Sequence, residues 1–222
     1  MPTVFLVRHG ENPANISKEF SYRTVDYSLN AKGLEQARQT AAFFQAQPIP
    51  IGAVYSSPLR RAHETAAVIA AALGVEVGIV EEFREINVGS LEGQTPTREL
   101  WDEHNAVLRA WLKGQPDSTF PAGENHHSVN ERMQIGLRHV LKHTPQQASI
   151  IVGHGGIFTA SLAAFCPDLD VRSIIRAPNH NCSLTELAVE ERDGQLVGRV
   201  VRWADFGHLS GEAARFISGV FE

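Results

Sequence analysis

The sequence predicts an α/β fold: a mainly parallel central sheet flanked by helices on both faces, with a helical cap insertion and a C-terminal edge hairpin. Three observations predict it. Short apolar runs alternate with helical patterns over most of the 222 residues. Two of these runs lead into glycine-containing blocks that hold His9 and His154. Towards the end of the chain, two strand-like runs flank Asp193-Gly194, a dipeptide typical of a tight hairpin turn.

Six strands are predicted from apolar runs. In chain order they are Thr3–Val7, Ala53–Ser56, Val75–Val80, Ser149–Val152, Cys182–Glu190 and Gln195–Trp203. Strands buried on both faces of a parallel sheet typically form continuous apolar runs. We therefore expect the first four strands to form the parallel part of the sheet. The last two add antiparallel strands at one edge.

Four helices are predicted from the spacing of apolar residues or from start and stop signals. They are Asn30–Ala46, Leu59–Leu73, Glu124–His143 and Gly155–Phe165. Asn30 can cap the first of these helices, and Gly74 directly follows the second as a helix stop. The strands and helices therefore alternate, which is the pattern of a sheet covered by helices.

The stretch Glu81–Pro121 differs from the rest because it is longer and richer in tryptophan and charge. We expect two helical pieces around Arg98–Lys113. We also expect this stretch to form a cap over the functional site, at about residues 86–127. No repeat or convincing linker divides the chain, so residues 1–222 are predicted to form a single domain.

Composition restricts the class of protein. A hydrophobic fraction of 43% is enough for a sizeable core, and a formal net charge of −5 gives no indication of nucleic-acid binding. Any positive field for an anion must therefore be local. Cys166 and Cys182 lie in apolar surroundings, which favours buried thiols over a disulfide. No secretory signal pattern and no apolar run of membrane-spanning length occurs, so we expect a cytoplasmic protein with no membrane partner.

His9 directly follows Arg8 at the end of the first predicted strand. In open α/β sheets, ligands bind at the carboxyl ends of the strands. A neutral imidazole is a competent nucleophile toward phosphorus, and an arginine can bind two phosphoryl oxygens at once. Gly10 allows a close approach of the backbone to the substrate. The block therefore points to a phosphate site, although a histidine that only caps a turn explains His9 alone equally well.

A second arginine site follows the second predicted strand. Ser57-Pro58 leads from that strand into a helix, so Arg60 and Arg61 lie near a helix N-terminus. Free backbone N–H groups and an arginine could both face an anion there. One of the two arginines is expected to be a solvated surface charge, and their positions alone leave open which one.

Glu85 and His154 complete the candidate chemistry. Loss of an alcohol from a phosphate ester needs a proton on the departing oxygen, and a carboxylic acid such as Glu85 can supply it. Its position alone is a weak signal, because it is one of four acids in 81–92. His154 has the same context as His9, an apolar strand followed by glycine. Its expected function is to stabilise charge on the phosphoryl group.

In their order along the chain, these blocks resemble the signature of the histidine phosphatase superfamily, in its phosphoglycerate mutase-like branch. The matching residues are Arg8, His9, Gly10, Glu11 and Asn15; Asp26-Tyr27-Ser28-Leu29, Gly33, Gln36 and Ala37; Ser57, Leu59, Arg61, Ala62, Thr65 and Ala66; Glu85, Gly89 and Gly93; Pro121–Glu124 with Arg132; His154-Gly155; and Asn181–Ser183. The match covers nearly the whole chain. Each motif alone is weak, but five motifs in register, with Pro121–Glu124 and Asn181–Ser183 as further matches, are specific.

The resemblance implies that His9 becomes phosphorylated and that Glu85 protonates the leaving oxygen, then activates the hydrolytic water. It also selects Arg61 over Arg60. The substrate-binding residues expected on this basis are Arg8, Asn12, Asn15, Arg61, His154 and Gly155. The resemblance implies no metal ion and no cofactor.

Some residues depart from the family pattern. Asn12 stands where the family usually has a small hydroxyl residue, and its amide can still donate a hydrogen bond. Pro13 follows, so the loop to about Arg23 is expected to be stiffer or differently routed. Gly123-Glu124-Asn125 replaces the family's Gly-Glu-Ser, which is a mild change.

The arginine pair and proline-rich insertion of mutase members are also missing. We therefore predict a metal-independent phosphomonoesterase that acts on a small phosphorylated metabolite. Two alternatives remain: a bisphosphoglycerate-dependent phosphoglycerate mutase, and a non-catalytic module that binds phosphorylated ligands.

Two features outside these blocks have simpler explanations. His139 and His143 have a spacing that could ligate a metal ion, but no third ligand is near in sequence, so we expect surface histidines. The exposed edge hairpin could support a homodimer.

Overall fold

The structure is a computed structural model that describes residues 1–177 and 179–217. Six strands occur within this part of the chain: β1 (Thr3–Arg8), β2 (Ile51–Ser56), β3 (Val77–Ile79), β4 (Ala148–Gly153), β5 (Leu184–Arg192) and β6 (Gln195–Asp205). They form one sheet in the order β3-β2-β4-β1-β5-β6. β1 pairs with β4, and β2 pairs with β3 and with β4, all in parallel. β5 and β6 are antiparallel and form the predicted edge hairpin. The predicted fold class is confirmed.

Seven helices flank this sheet in the described residues. They are α1 (Pro13–Ser17), α2 (Ala31–Ala46), α3 (Arg60–Leu73), α4 (Arg98–Leu112), α5 (His126–His143), α6 (Gly155–Ser161) and α7 (Val171–Arg176). The predicted end signals act as expected, because the side chain of Asn30 accepts from the N–H of Gly33. Gly74 ends α3 in the left-handed conformation, with φ 69°.

The predicted elements differ from the structure in several places. The residues around Arg98–Lys113 form one α-helix, α4, instead of two helical pieces, because Thr97 caps it and no break follows before Lys113. Two short 3-10 helices, Glu81–Phe83 and Gly89–Leu91, precede it. α1 was not predicted: Pro13 begins it, at a position where the missing N–H costs nothing. α7 was not predicted either. β3 is shorter than expected because the N–H of Val75 donates to Ala70 O at the end of α3 (3.1 Å).

Hydrophobic side chains cover both faces of the sheet. One face packs against α5 and α6 in a cluster that includes Leu6, Ile151, Met133, Leu137 and Ile157. The other packs against α2 and α3 in a cluster that includes Phe5, Ile150, Ala41, Phe44 and Ile69. Consecutive residues of one strand therefore serve opposite layers, as the two-residue period of a strand requires. Burial of these side chains from water is the main term that stabilises the layers.

The two cysteines behave as the sequence predicts. Both cysteines are buried and neither forms a disulfide. Burial raises the pKa of Cys166 to about 11 and that of Cys182 to about 12. Within 1–177 and 179–217, no helix has the length and apolar character needed to cross a membrane.

The parallel register brings the carboxyl ends of three strands to one edge of the sheet. Arg8, the last residue of β1, pairs with Gly153, the last residue of β4. The next backbone N–H, that of His9, donates to Gly153 O (2.9 Å). Ser57 follows β2, and its N–H donates to Val152 O (2.9 Å). Each strand thus delivers a polar side chain to the same place.

Candidate active site

His9 is buried, with 4% of its surface exposed. Its Nδ1 lies 2.7 Å from Gly10 O, and a carbonyl oxygen only accepts, so Nδ1 carries the proton. The lone pair is then on Nε2, where it accepts a hydrogen bond from Arg61 Nε (3.1 Å). Burial lowers the pKa of His9 well below its usual value, and the charges of Arg61 and Arg8 lower it further. The ring is therefore neutral, and Nε2 is its unprotonated nitrogen.

His154 has the opposite arrangement of ring protons. It is fully buried at the N-terminus of α6, with its ring centroid 5.2 Å from that of His9. Its Nδ1 accepts from Arg61 Nη2 (3.1 Å), so its proton is on Nε2, 2.8 Å from Ser57 Oγ. Burial lowers the pKa of His154, as do the charge of Arg61 and the neighbouring His9.

Arg61 joins the two histidines. It lies in the first turn of α3 with 3% of its surface exposed. Nη1 and Nη2 donate to Ser21 Oγ and Ser21 O, each at 2.8 Å. Burial lowers the pKa of Arg61 to about 10, while the nearby carboxylates of Glu85 and Asp26 favour the charged form. Arg60 is exposed, so the structure places Arg61, and not its neighbour, against the histidines.

Two buried donors at this edge of the sheet have no hydrogen-bond partner among residues 1–177 and 179–217. Arg8 donates from Nη1 to Asn179 O, but its Nε has no acceptor. The amide Nδ2 of Asn12, a fully buried residue, also has none. Burial lowers the pKa of Arg8, partly offset by the negative charge of Glu85. A buried donor without an acceptor is costly, and a bound anion would supply the missing acceptor.

Asn12 and Asn15 form the N-terminal cap of α1. Each backbone N–H donates to the other residue's side-chain oxygen, both at 3.2 Å, which is the reciprocal pattern of a capping box. Asn181 Nδ2 donates to Asn15 Oδ1 (3.1 Å) and to His9 O (3.0 Å). The side-chain oxygen of Asn15 thus helps to hold the loop after β1. A contact between Asn15 and phosphate stays a prediction.

Gly10 approaches another part of the chain closely. A Cβ at Gly10 would lie 2.5 Å from Gly33 O, in the first turn of α2. Its N–H donates to Thr65 Oγ1 (3.0 Å), which itself donates to Arg61 O (2.7 Å). Glycine is therefore required here by packing against α2, whereas the sequence suggested an approach to the substrate.

Glu85 lies at the N-terminus of α6, beside His154. Oε1 accepts from the N–H of Ile157 (2.8 Å) and of Ile86 (2.9 Å), and Oε2 accepts from the N–H of Gly156 (3.0 Å). A Cβ at Gly156 would lie only 2.6 Å from Oε1, so this approach requires glycine. The positive end of the helix thus holds the carboxylate. Gly155 is the first residue of the helix. A Cβ at Gly155 would lie 3.5 Å from Arg8 Cδ, so the two residues are close neighbours.

An ion pair holds the segment that carries Glu85. Arg132 Nε donates to Glu124 Oε1 (2.6 Å), and its other nitrogens donate to the backbone oxygens of Glu82 (2.7 Å), Arg84 (2.5 Å) and Glu85 (3.1 Å). Glu124 also accepts from the N–H of Asn87 (2.7 Å). Arg132 and Glu124 matched the family pattern in sequence, but that pattern alone did not show what they bind.

Two polar residues beside the site received no function from the sequence. Ser21 holds Arg61, and no motif marks it. Glu11 was matched as a motif residue only. It is buried, accepts from Asn30 Nδ2 (2.9 Å) and pairs with Lys32 (2.8 Å), so it fixes the loop against α2.

Aromatic side chains connect α4 to the loop after α1. The ring of Phe20 lies 4.6 Å from that of Trp101 and 4.7 Å from that of His104. His104 also stacks on Phe120 (5.3 Å), which contacts Trp111 (5.6 Å). We call these five residues the aromatic cluster. Burial lowers the pKa of His104 to about 4.

In the part of the chain that the structure describes, no group of three or more histidine, cysteine, aspartate or glutamate side chains is arranged to hold a metal ion. His139 and His143 are exposed on α5 with their rings 4.3 Å apart, as expected for surface histidines.

Comparison with known proteins relates this arrangement to a family. The model of the histidine phosphatase superfamily (branch 1) matches residues 4–202. A probable phosphoglycerate mutase GpmB of Enterobacter sp. (strain 638) is 32% identical over 214 residues, which cover 96% of this chain and 97% of the relative. The GpmB of Salmonella choleraesuis (strain SC-B67) is 30% identical with the same coverage.

Solved structures show the same fold. A phosphoserine phosphatase from Entamoeba histolytica, in complex with 3-phosphoglyceric acid, has a TM-score of 0.74 and 25% identity. The alignment covers 95% of this chain and all (100%) of that one. A mycobacterial glucosyl-3-phosphoglycerate phosphatase has a TM-score of 0.71 and 24% identity, and the alignment covers 92% and 99% of the two chains.

Proposed function

Because the chain belongs to the histidine phosphatase superfamily, we propose that it is a metal-independent phosphomonoesterase that acts through a phosphohistidine on His9. One observation carries the proposal. The neutral His9 ring has its lone pair on Nε2, beside Arg61, while the buried donors Arg8 Nε and Asn12 Nδ2 have no acceptor in the part of the chain that the structure describes. A nucleophile next to unused donors fits a phosphoryl group that arrives with the substrate.

In the first step, His9 Nε2 attacks phosphorus in line with the ester oxygen, and the P–O bond breaks as the N–P bond forms. Arg8 and Arg61 bind the phosphoryl oxygens, and their positive charge stabilises the transition state. His154 lies on the other side of Arg61 and completes this binding site. Glu85 gives its proton to the departing alcohol.

In the second step, water attacks the phosphohistidine. Glu85, now a carboxylate, takes a proton from that water, and the N–P bond breaks to release inorganic phosphate and neutral His9. Its position beside His154, at the N-terminus of α6, supports this assignment. The protonated form needed for the first step would turn away from the backbone N–H groups toward the leaving oxygen.

The stretch at about 86–127 is proposed to cover the site as a cap within one domain. The aromatic cluster supports this, because it connects α4 to the residue next to Ser21, which holds Arg61. The substrate is proposed to be a small phosphorylated metabolite in the cytoplasm.

A phosphoglycerate mutase is the second candidate, because the curated relatives at 30–32% identity are named as probable mutases. The missing arginine pair and proline-rich insertion favour the phosphatase, as does the phosphoserine phosphatase neighbour. Incubation with 3-phosphoglycerate and a bisphosphorylated primer separates the two. Free phosphate supports the phosphatase, and 2-phosphoglycerate supports the mutase.

The His9→Ala variant tests the proposal directly. It should lose hydrolysis of an aryl phosphate by at least about 1,000-fold, since nucleophile and binding site act as a unit. His139→Ala, which removes an exposed histidine of α5, is the matched control and should keep wild-type activity. EDTA should not change the wild-type rate.

Retained activity in His9→Ala would overturn the proposal. A non-catalytic module that binds phosphorylated ligands predicts no phosphate release above that of His9→Ala, and it would still bind inorganic phosphate.

A further inference from the structure

Glu92 makes an unusual set of hydrogen bonds. Its Oε1 accepts from four consecutive backbone N–H groups, those of Tyr22 (2.6 Å), Arg23 (2.6 Å), Thr24 (3.1 Å) and Val25 (3.2 Å). These residues belong to no helix or strand. The carboxylate therefore takes the place of the backbone partners that regular structure would supply.

The loop that Glu92 holds contacts the guanidinium of Arg61. Ser21, just before the four N–H groups, accepts from Arg61 Nη1 through Oγ and from Nη2 through its backbone oxygen. The Ser21 hydroxyl also donates to Val25 O, which closes the loop on itself. Asp26, just after the loop, lies 3.9 Å from Arg61 Nη1.

Charge makes this arrangement firm. Hydrogen bonds to an ionised carboxylate are roughly twice as strong as neutral ones. Burial tends to raise the pKa of Glu92, but the backbone bonds from Arg23, Tyr22 and Val25 outweigh it and lower the pKa. The Glu92 side chain thus stays ionised at neutral pH and keeps its four hydrogen bonds to the loop.

We propose that Glu92 is a positioning residue: by fixing the loop 21–25 it sets the orientation in which Arg61 reaches both His9 and His154. This inference rests on the proposed function of the same site. Glu92 makes no hydrogen bond to Arg61 or to either histidine among the described residues. It acts on Arg61 through the loop at Ser21, and its negative charge also favours the charged form of that guanidinium. Its position seven residues after Glu85 also means that one segment carries the candidate acid and holds the phosphate-binding arginine.

Two variants separate positioning from stability. Glu92→Ala removes the acceptor, and Glu92→Gln keeps an oxygen in place without its charge. A displacement of about 1 Å at a reacting group can cost about 100-fold in rate, so kcat on an aryl phosphate should fall about 10- to 100-fold in Glu92→Ala. Glu92→Gln should recover a large part of this loss. Affinity for inorganic phosphate, measured by calorimetry, should fall in the same order.

The matched control is Glu186→Gln. Glu186 is a hydrogen-bonded carboxylate outside the site: it accepts from the side chain of Arg202, at Nη2 (2.9 Å), in the edge hairpin. It should change neither kcat nor phosphate affinity. Far-UV circular dichroism and thermal melting establish the folded fraction, and kcat is expressed per folded molecule. Equal kcat and phosphate affinity in Glu92→Ala, Glu92→Gln and wild type would overturn the inference.

A double-mutant cycle tests the route through Arg61. If Glu92 acts by placing that guanidinium, Glu92→Gln should cause no further loss of kcat/KM when Arg61 is already alanine. An additive loss would mean that Glu92 acts elsewhere, and would overturn the inference even if Glu92→Ala failed to fold. His9→Ala in the same assay separates the two claims. If it stays active, the proposed function fails, and the phosphate affinities alone then test Glu92.

Discussion

At the scale of single residues, the two histidines owe their different ring protons to one guanidinium. Arg61 donates to a lone pair on each ring, through Nε to His9 and through Nη2 to His154. A nitrogen that accepts cannot carry the proton, so each ring is protonated on its other nitrogen. The same positive charge, together with burial, lowers the pKa of both histidines. Burial, helped by this arginine, therefore keeps the nucleophile neutral before any substrate binds.

The sequence identified the residues that face the site better than the residues that hold them in place. His9 and His154 were marked by strand ends, and the family pattern selected Arg61 over its neighbour. Ser21 and Glu92 carried no such mark, because they act through backbone groups of a loop without periodic structure. Which N–H groups meet one carboxylate depends on how two distant segments fold together, and no local pattern encodes that.

Asn12→Asp offers a test at this scale. The substitution keeps an oxygen that caps α1, but it replaces the unpartnered Nδ2 donor with a negative charge. A hydrogen bond to a charged group is worth about 1.5–3 kcal/mol, so affinity for inorganic phosphate should fall by at least about 10- to 100-fold. Calorimetry measures the affinity, and a melting curve checks that the cap remains.

Asn12→Ser is the control, because it retains a cap and a donor. Wild-type phosphate affinity in Asn12→Asp would show that this amide does not face the anion.

At the scale of elements, the site is built where β1, β4 and β2 end and the next helices begin. The alternation of strands and helices was readable because each strand is a continuous apolar run and the helices have recognisable ends such as Asn30 and Gly74. α1 is harder to predict from the sequence, because its five residues are too few to show a helical period. Pro13 is equally typical of a stiff or rerouted loop. The single helix α4 was split in the prediction because its charged residues obscured the apolar spacing.

The ion pair between Arg132 and Glu124 belongs to this scale, because it ties α5 to the segment that carries Glu85. Only 17% and 14% of the two side chains are exposed. Lysine cannot reproduce the fork that reaches three backbone oxygens, so Arg132→Lys should lower the free energy of unfolding by about 2–4 kcal/mol. It should also lower kcat through Glu85. Urea unfolding measures the first effect, and aryl phosphate hydrolysis measures the second.

Arg202→Lys is the comparison for this prediction. That arginine is 39% exposed in the edge hairpin, and its loss should cost about 1 kcal/mol or less. An equal loss in the free energy of unfolding for Arg132→Lys and Arg202→Lys would contradict this function of the Arg132–Glu124 ion pair.

The aromatic cluster should make the protein sensitive to acid. The pKa of His104 is lowered by burial to about 4, from about 6.5 in the unfolded chain. Between these values the unfolded chain binds more protons than the folded one, so stability falls as the pH drops from about 6.5 toward about 4. His104 should account for about 2 kcal/mol of this loss at about pH 5. His104→Phe keeps the stacking and removes the titration.

Urea unfolding at neutral pH and at about pH 5 measures the effect. The loss between the two conditions should be smaller in His104→Phe than in the wild type, whereas the surface substitution His127→Phe should follow the wild type. An unchanged loss in His104→Phe would exclude His104 as its source.

At the scale of the whole molecule, an acidic protein holds a positively charged site. The net charge is −5, yet two guanidinium groups lie beside His9: that of Arg61 is buried and that of Arg8 is half-buried. The sequence predicted that any positive field must be local, and the sheet makes it so by bringing distant strand ends together. The alternation of strand and helix patterns was enough to predict a mainly parallel sheet. The contacts of the stretch between β3 and α5 depend on tertiary packing instead.

The most direct test asks whether His9 carries a phosphoryl group during turnover. Glu85→Gln should slow the hydrolysis of the intermediate, while an aryl phosphate, whose leaving group needs little protonation, still reacts with His9. An alkaline quench followed by mass spectrometry of the peptides then locates the group. The account predicts one phosphoryl group on His9 Nε2, and none in His9→Ala. A phosphoryl group on another residue, or continued turnover by the His9 variant, would contradict it.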